Sequence, residues 1–364
     1  MDERELRYWL RLSRIELSPR AAAALIERFG GPEAIFDASE RELKSVEQMT
    51  AKGIAKVLAP SPAAIDRDLA LIDKGGISVI PICSPDYPES LKQIFDPPIV
   101  LYVKGDFTDA DNLAIAIVGS RRASAYGKSV TERIAKDLAR RGITIVSGGA
   151  RGIDTTAHKS ALESGGRTVA FLGCGIDVTY PPENKNLFEA IAASGAVASE
   201  FPLGANPEPW RFPPRNRLIS AMSNGVLVCQ SPKSSGALIT ASYAAEHGKD
   251  IYAVPGNVDD ERNSGCHKLI QDGALLVQSA SDILRELGFD EADEECPRRT
   301  AMPVESLNET ERKIAVLLSL EPTPVDEIIE KTGMPAPMVS GLLTVLEMKN
   351  VVRRVPGNSY VRVL

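Results

Sequence analysis

The sequence is poor in the side chains that build metal sites and disulfide frameworks. Its five cysteines, Cys83, Cys174, Cys229, Cys266 and Cys296, are an odd number scattered over 364 residues with no CxxC pair, which fits neither a disulfide scaffold nor a zinc site. The three histidines, His158, His247 and His267, stand far apart without clustered Cys or Asp ligands, so no metal and no cofactor is expected. No apolar run approaches the ~18 residues of a membrane span. The opening MDERELRYWL has neither the basic start nor the apolar core of a signal peptide, and a cytoplasmic protein without a membrane span is expected. Positive charge is not in excess: 42 Lys and Arg face 49 Asp and Glu, for a net charge of −7. The motifs GxGxxG and GxxxxGK[ST] are both missing, so spacing supports neither a dinucleotide fingerprint nor a Walker loop.

What is present is globular. With 43% hydrophobic and 25% charged residues, a chain of this length suggests two or three domains. The charge is unevenly placed, since residues 113–220 carry 14 Lys or Arg against 9 Asp or Glu, leaving −12 for the remainder. A local basic face on an acidic protein can hold a polyanion, because phosphate binding follows the local field rather than total charge.

The stretch from Ile115 to Asp154 organises the rest. AIAIVG is an apolar run ended by Gly119, Ser120, Arg121 and Arg122, and a helix with Val130, Ile134 and Leu138 follows. ITIVSGG repeats the plan, with Ser147, Gly148, Gly149, Arg151 and Gly152 leading to a second helix from Asp154. Glycines let backbone N–H groups approach a ligand, helix N-termini favour negative charge, and arginines add forked donors. The pattern points to an anion-binding face whose natural guest is a phosphate.

In chain order, residues 1–60 read as short helices, with Ser18-Pro19 as a cap and first-turn pair. LIERFGGPEAIF and AKGIAKVL place glycine between helices, as a helix-hairpin-helix unit does, although short helical hairpins are also ordinary packing units. Residues 61–112 read as a connecting region with a small α/β element of its own. From 113 to 287 the runs AIAIVG, ITIVSGG, TVAFLG, AVASE, GVLVCQ, DIYAVPG and ALLVQ alternate with helices. That rhythm predicts an α/β fold: a Rossmann-like, doubly wound, mostly parallel sheet whose ligand lies beyond the carboxyl ends of its strands. Residues 288–303 read as an acidic linker, with five acids from Asp290 to Glu295. Residues 304–364 predict three helices and a hairpin turning at Pro356-Gly357-Asn358, a winged helix. Its third helix has no Lys or Arg between Met334 and Met348, which favours a protein-contacting role over duplex reading.

Three further groups are candidates. Arg215, Asn216 and Arg217 follow the aromatic and proline-rich Trp210 to Pro214; they can clamp a phosphate or hold the loop, and the rings of Trp210 and Phe212 can stack bases or plug it. Ser235, Gly236 and Thr240 open another helix and suit a phosphate, while Ser235 is equally a plain N-cap. Asp154 and His158 lie four apart on one helix, either an acid–base pair or, the duller reading, a cap and a packed histidine.

VGSRRASAYG, SGGARGIDTTAH, GCGIDVTYPPENKNL, SEFPLG, FPPRNRLIS, SSGALITASYAAEHGK, YAVPGN and LIQDGA occur in one order, and together they resemble the DNA processing protein A family (DprA, also called Smf). The likeness covers roughly residues 80–287, with the N-terminal helices and the winged-helix tail resembling accessory domains. It implies a non-enzymatic recombination mediator of natural transformation that binds and protects incoming single-stranded DNA and loads the RecA recombinase, as a homodimer through the Rossmann-like domain. By motif position it implies a DNA-binding set of Gly119, Ser120, Arg121, Ser147, Gly148, Gly149, Asn184, Lys185, Arg215, Asn216, Arg217, Ser235, Gly236 and Thr240, with Arg121 the best marked. Two positions depart from the family pattern: Gly149 replaces a small apolar residue and His267 an asparagine. The rival reading is a nucleotide phosphoribohydrolase-type enzyme on a similar sheet, although its PGGxGTxxE motif is absent.

Overall fold

The structure, a computed structural model, describes residues 1–60, 63–289, 307–319, 322–349, 351–355 and 359–362. Most of the expected acidic linker and the hairpin turn at Pro356-Gly357-Asn358 lie outside the described residues. The chain divides into two compact units, one of residues Met1–Arg122 with Thr131–Ile283 and one of Ala123–Val130 with Leu284–Leu364.

The first unit begins with helices α1 (Glu3–Arg14), α2 (Pro19–Phe29), α3 (Pro32–Asp37), α4 (Glu40–Lys44), α5 (Ala51–Leu58) and α6 (Ala64–Gly75). Their starts follow from local chemistry. Ser18 accepts a hydrogen bond from the Ala21 N–H with Pro19 in the first turn, and Ser39 and Glu42 form a reciprocal capping box. Next along the chain come β1 (Ser78–Pro81), α7 (Glu89–Lys92), β2 (Val100–Gly105), β3 (Ala114–Val118), α8 (Ala125–Arg140, whose first residues belong to the second unit), β4 (Thr144–Ser147), α9 (Ile153–Glu163), β5 (Thr168–Phe171), α10 (Lys185–Ser194) and β6 (Ala196–Ser199). The unit's sheet is completed by α11 (Phe212–Ala221), β7 (Gly225–Val228), α12 (Gly236–Glu246), β8 (Asp250–Ala253), α13 (Ser264–Gln271) and β9 (Leu275–Leu276), followed by α14 (Ala280–Glu286).

The nine strands form one sheet in the order β1-β2-β6-β5-β4-β3-β7-β8-β9. Pairing is parallel from β6 through β9, as the uniformly apolar runs predicted. Every residue of β3 to β7 is buried, the signature of strands covered on both faces. The chain winds outward from β3 through β4 and β5 to β6, then crosses back to β7 beside β3. The reversal makes a crevice at the carboxyl ends of the central strands.

Residues 61–112 correct the expectation of a separate connecting element. Strand β2 pairs antiparallel with β6, and β1 with β2, so the segment extends the main sheet. Nor is residue 60 a packing boundary. Trp9, Leu10, Leu25, Ile35, Leu43 and Ile54 of the helices share one core with Val100 and Tyr102 of β2, and the Tyr102 hydroxyl meets the Ser13 hydroxyl at 3.0 Å.

The second unit contains α15 (Glu309–Leu317), β10 (Thr323–Pro324), α16 (Val325–Thr332), α17 (Ala336–Met348), β11 (Val352–Val355) and β12 (Ser359–Arg362). Ile314, Ile328, Val339, Leu343, Leu346 and Tyr360 form its core. Instead of the expected two strands, the wing has three, in the order β10-β12-β11. The added strand is two residues long and ends in Pro324, so no alternation marked it in the sequence.

Candidate functional site

Three loops at the carboxyl edge of the sheet, with the start of α11, enclose a pocket lined by Arg121, Gly148, Ala150, Arg151, Gly173, Tyr180, Pro181 and Phe212. The loop after β3 is fixed by backbone. The Ser120 N–H donates to the Gln230 carbonyl at 2.7 Å, joining the ends of β3 and β7, and the Ile153 N–H donates to the Ser120 carbonyl at 3.2 Å. Gly152 holds φ +80°, and a Cβ there would lie 2.2 Å from that same Ser120 carbonyl, so only glycine lets the two loops meet. Gly119 and Ser120 thereby present Arg121, which is exposed with its guanidinium 5.2 Å from the centroid of the Phe212 ring. The Tyr180 ring packs 5.6 Å from Phe212. Arg151 is exposed and bidentate on Glu183.

Beneath this surface lies a second arginine. Arg215 is 3% exposed, and its Nη1 donates to the carbonyls of Gly148, at 2.7 Å, and Phe171. A Cβ on Gly148 would fall 2.6 Å from Nη2 of the guanidinium, which explains a glycine there. Burial lowers the Arg215 pKa to about 10, with Asp154 opposing the shift, so the group remains a cation at neutral pH. Burial raises the Asp154 carboxyl to about 6 against the pull of Arg215 and the Ala150 and Gly148 N–H groups. Those N–H groups therefore face inward, the Ala150 N–H at 3.3 Å from Asp154. The glycine loop is braced by a carboxylate, and the charged groups that face outward are the guanidinium groups of Arg121 and Arg151.

The other sequence-derived candidates separate into bracing and surface groups. Ser147 is buried and donates to the Ile117 carbonyl at 2.6 Å. Asn184 is buried and donates to the Gly149 carbonyl at 3.0 Å and the Thr155 hydroxyl at 2.8 Å, tying the loop after β5 to the loop after β4. Asn216 accepts from Arg215 Nε at 3.2 Å and donates to the Gly236 carbonyl at 3.2 Å. Arg217 is 1% exposed and grips Glu200 through two bonds of 2.6 and 2.7 Å; it corrects the expectation of a phosphate clamp, because both ends of its fork are occupied by a carboxylate. Ser235 caps α12 through the Ala237 N–H at 3.2 Å, Gly236 is exposed in the first turn, and Thr240 is buried. None of these three lines the pocket. Lys185 is exposed at the start of α10.

His158 follows the duller of its two readings. It is fully buried with Nδ1 2.7 Å from the Thr168 hydroxyl, and burial lowers its pKa to about 3. Asp154 turns instead to the 148–150 backbone, and the helix cap position is Gly152. Tyr180 was not singled out in the sequence; the length of the loop between β5 and α10 was the available signal.

The family pattern described as DNA recombination-mediator protein A matches residues 78–288, and the DprA winged helix domain matches residues 298–358. The DNA processing protein DprA of Bacillus subtilis is 42% identical over 242 residues, 66% of this chain and 82% of that protein. Protein Smf of Synechocystis sp. is 38% identical over 311 residues, 76% of this chain and 78% of its own length. Among solved structures, the X-ray structure of DprA from Streptococcus pneumoniae superposes with a TM-score of 0.68 at 33% identity, covering 78% of this chain and 98% of that one. DprA from Helicobacter pylori, whose structure addresses its mode of binding single-stranded DNA, superposes with a TM-score of 0.53 at 31% identity over 58% of this chain and 95% of that one. On its sequence, its sheet and its winged helix, the chain belongs to the DNA recombination-mediator protein A family, DprA or Smf.

Proposed function

We propose that this protein binds single-stranded DNA along the carboxyl edge of its sheet, without catalysis and without reading bases, and passes the protected strand to a RecA-type recombinase during natural transformation. The observation that carries the reading is the exposed Arg121 guanidinium standing over the Phe212 ring on a loop locked by backbone bonds. A cation beside an aromatic face suits a strand that offers a phosphate and an unpaired base at each step. Lys185 on α10 extends the positive edge, Arg151 at the rim is paired with Glu183, and Arg215, Asn184 and Ser147 hold the shape from below. Membership of the family and the H. pylori relative's binding of single-stranded DNA support the same substrate.

The protein acts as a homodimer in this reading. One edge strand of the sheet, β9, carries Leu275 and Leu276 at 40% and 44% exposure, and an apolar edge strand is suited to apposition with a second copy.

Anisotropy titrations of several unrelated oligonucleotides, single-stranded and duplex, test the assignment. Single strands bind more tightly than duplex, and Arg121→Ala weakens all single strands alike by about tenfold, the scale of one charge-assisted contact. Equal affinity for duplex, or an unaffected variant, contradicts it.

A further inference from the structure

One feature of the sheet's carboxyl edge lies beside the pocket and outside it. Between β6 and α11, a single turn of 3-10 helix, Pro209–Arg211, holds Trp210 at 59% exposure beside Arg211 at 8%. The Arg211 guanidinium lies 4.7 Å from the Trp210 ring centroid and 4.9 Å from that of Phe201. Its Nη2 bonds Glu16 at 2.8 Å, while Nε and Nη1 have no hydrogen-bond partner among the described residues. Glu16 itself sits at φ +50°, a conformation uncommon for a residue with a side chain.

As a mere plug this arrangement is poorly chosen. An incompletely paired buried guanidinium is unfavourable, and an apolar residue would fill the same space without that penalty. What the cation does is fix the indole: it attracts one ring face and leaves the remaining surface to solvent. Ring–guanidinium groupings then occur twice here, with Trp210 and Arg121 as their exposed members. Arg211 lies by the rings of Phe201 and Trp210, and Arg121 and Arg215 lie by Phe212, two residues on. Aromatic faces interleaved with basic groups suit single-stranded nucleic acid.

We infer that Trp210 is a base-stacking subsite, held by Arg211 and anchored by Glu16, that takes a base of the same single strand whose phosphate Arg121 engages. The inference rests on the proposed function and deepens it. The exposed Glu208 two residues earlier repels phosphate, so the contact is to the base face. Trp210 therefore contributes affinity without contributing to the salt dependence, which distinguishes it from Arg121.

The full-length protein reports on this directly, because it has two tryptophans and the other, Trp9, is buried. An oligothymidylate quenches the emission of the wild type in step with its anisotropy. Trp210→Ala weakens binding by roughly tenfold, the scale of one lost base stack, with the salt slope unchanged. Trp210→Phe restores most of the affinity and abolishes the quenching, whereas Trp210→Leu, which fills the loop without an aromatic face, does not restore affinity. Saturating binding without quenching, or restoration by Leu as complete as by Phe, overturns the stacking role and leaves the Arg121 site standing. If the wild type fails to bind the oligonucleotide, or binds it regardless of Arg121→Ala, the proposed function falls and the subsite falls with it.

Discussion

The Thr168 hydroxyl donates its proton to the Ile145 carbonyl at 2.6 Å, so its oxygen must accept from His158 Nδ1. That places a proton on Nδ1, burial keeps the imidazole neutral, and the buried Nε2 has no hydrogen-bond partner among the described residues. The consequence is a stability that depends on pH. The folded-state pKa is about 3 against an ordinary 6.5, so between these values the unfolded chain binds a proton that the native protein refuses. Stability from this group is present above pH 6.5 and lost as pH falls toward 3. Asp154 acts oppositely: its folded value of about 6 exceeds the ordinary 3.8, so its contribution is present below 3.8 and lost as pH rises through 6. His158→Asn keeps a donor for Thr168 and does not titrate. Its stability relative to wild type therefore improves as pH falls through the window, by at most about 1.4 kcal/mol per pH unit, in urea unfolding measured at a series of pH values. Parallel curves for the two proteins contradict the assignment.

The same scale shows why three arginines that looked alike in the sequence have different roles. Arg121 ends a strand on a turn that must face solvent, and its exposure could be anticipated from the motif. Arg215 and Arg217 are two residues apart on α11, and both are buried, one under the Gly148 loop and one against Glu200. Glu200 lies just beyond β6 and Asp154 in the first turn of α9, and no local pattern says that either meets α11. Which cation stays available to a ligand is decided by tertiary pairing.

At the scale of elements, apolar runs were enough to place the strands from β3 to β9; for β3 to β7 the reason is that a strand buried on both faces has no polar side to disguise it, while β8 and β9 are apolar runs that are partly or wholly exposed. Strands β1 and β2 were visible as strands, but not as part of the sheet. They join antiparallel, outside the βα rhythm, and the surface they cover is shared with the N-terminal helices. The two residues of β9 leave an apolar edge open, and the proposed dimer is tested there. Leu276→Glu places a charge on that edge without disturbing a buried side chain. It is expected to convert a dimer to a folded monomer in light scattering, with secondary structure retained by circular dichroism. A variant that remains dimeric moves the interface elsewhere.

For the whole molecule, a net charge of −7 and a proposed DNA-binding site are compatible because the acids lie mainly outside residues 113–220. The acidic remainder repels nucleic acid, so binding depends on a few cations at the carboxyl edge of the sheet, and each should count separately. The logarithm of the single-strand binding constant against the logarithm of salt concentration tests this most directly, for the wild type, Arg121→Ala and Lys185→Ala. The account predicts a steep slope for the wild type, reduced by about one for each variant and alike for unrelated base sequences. Slopes unchanged in both variants would contradict it, because the strand would then be held by groups other than this edge.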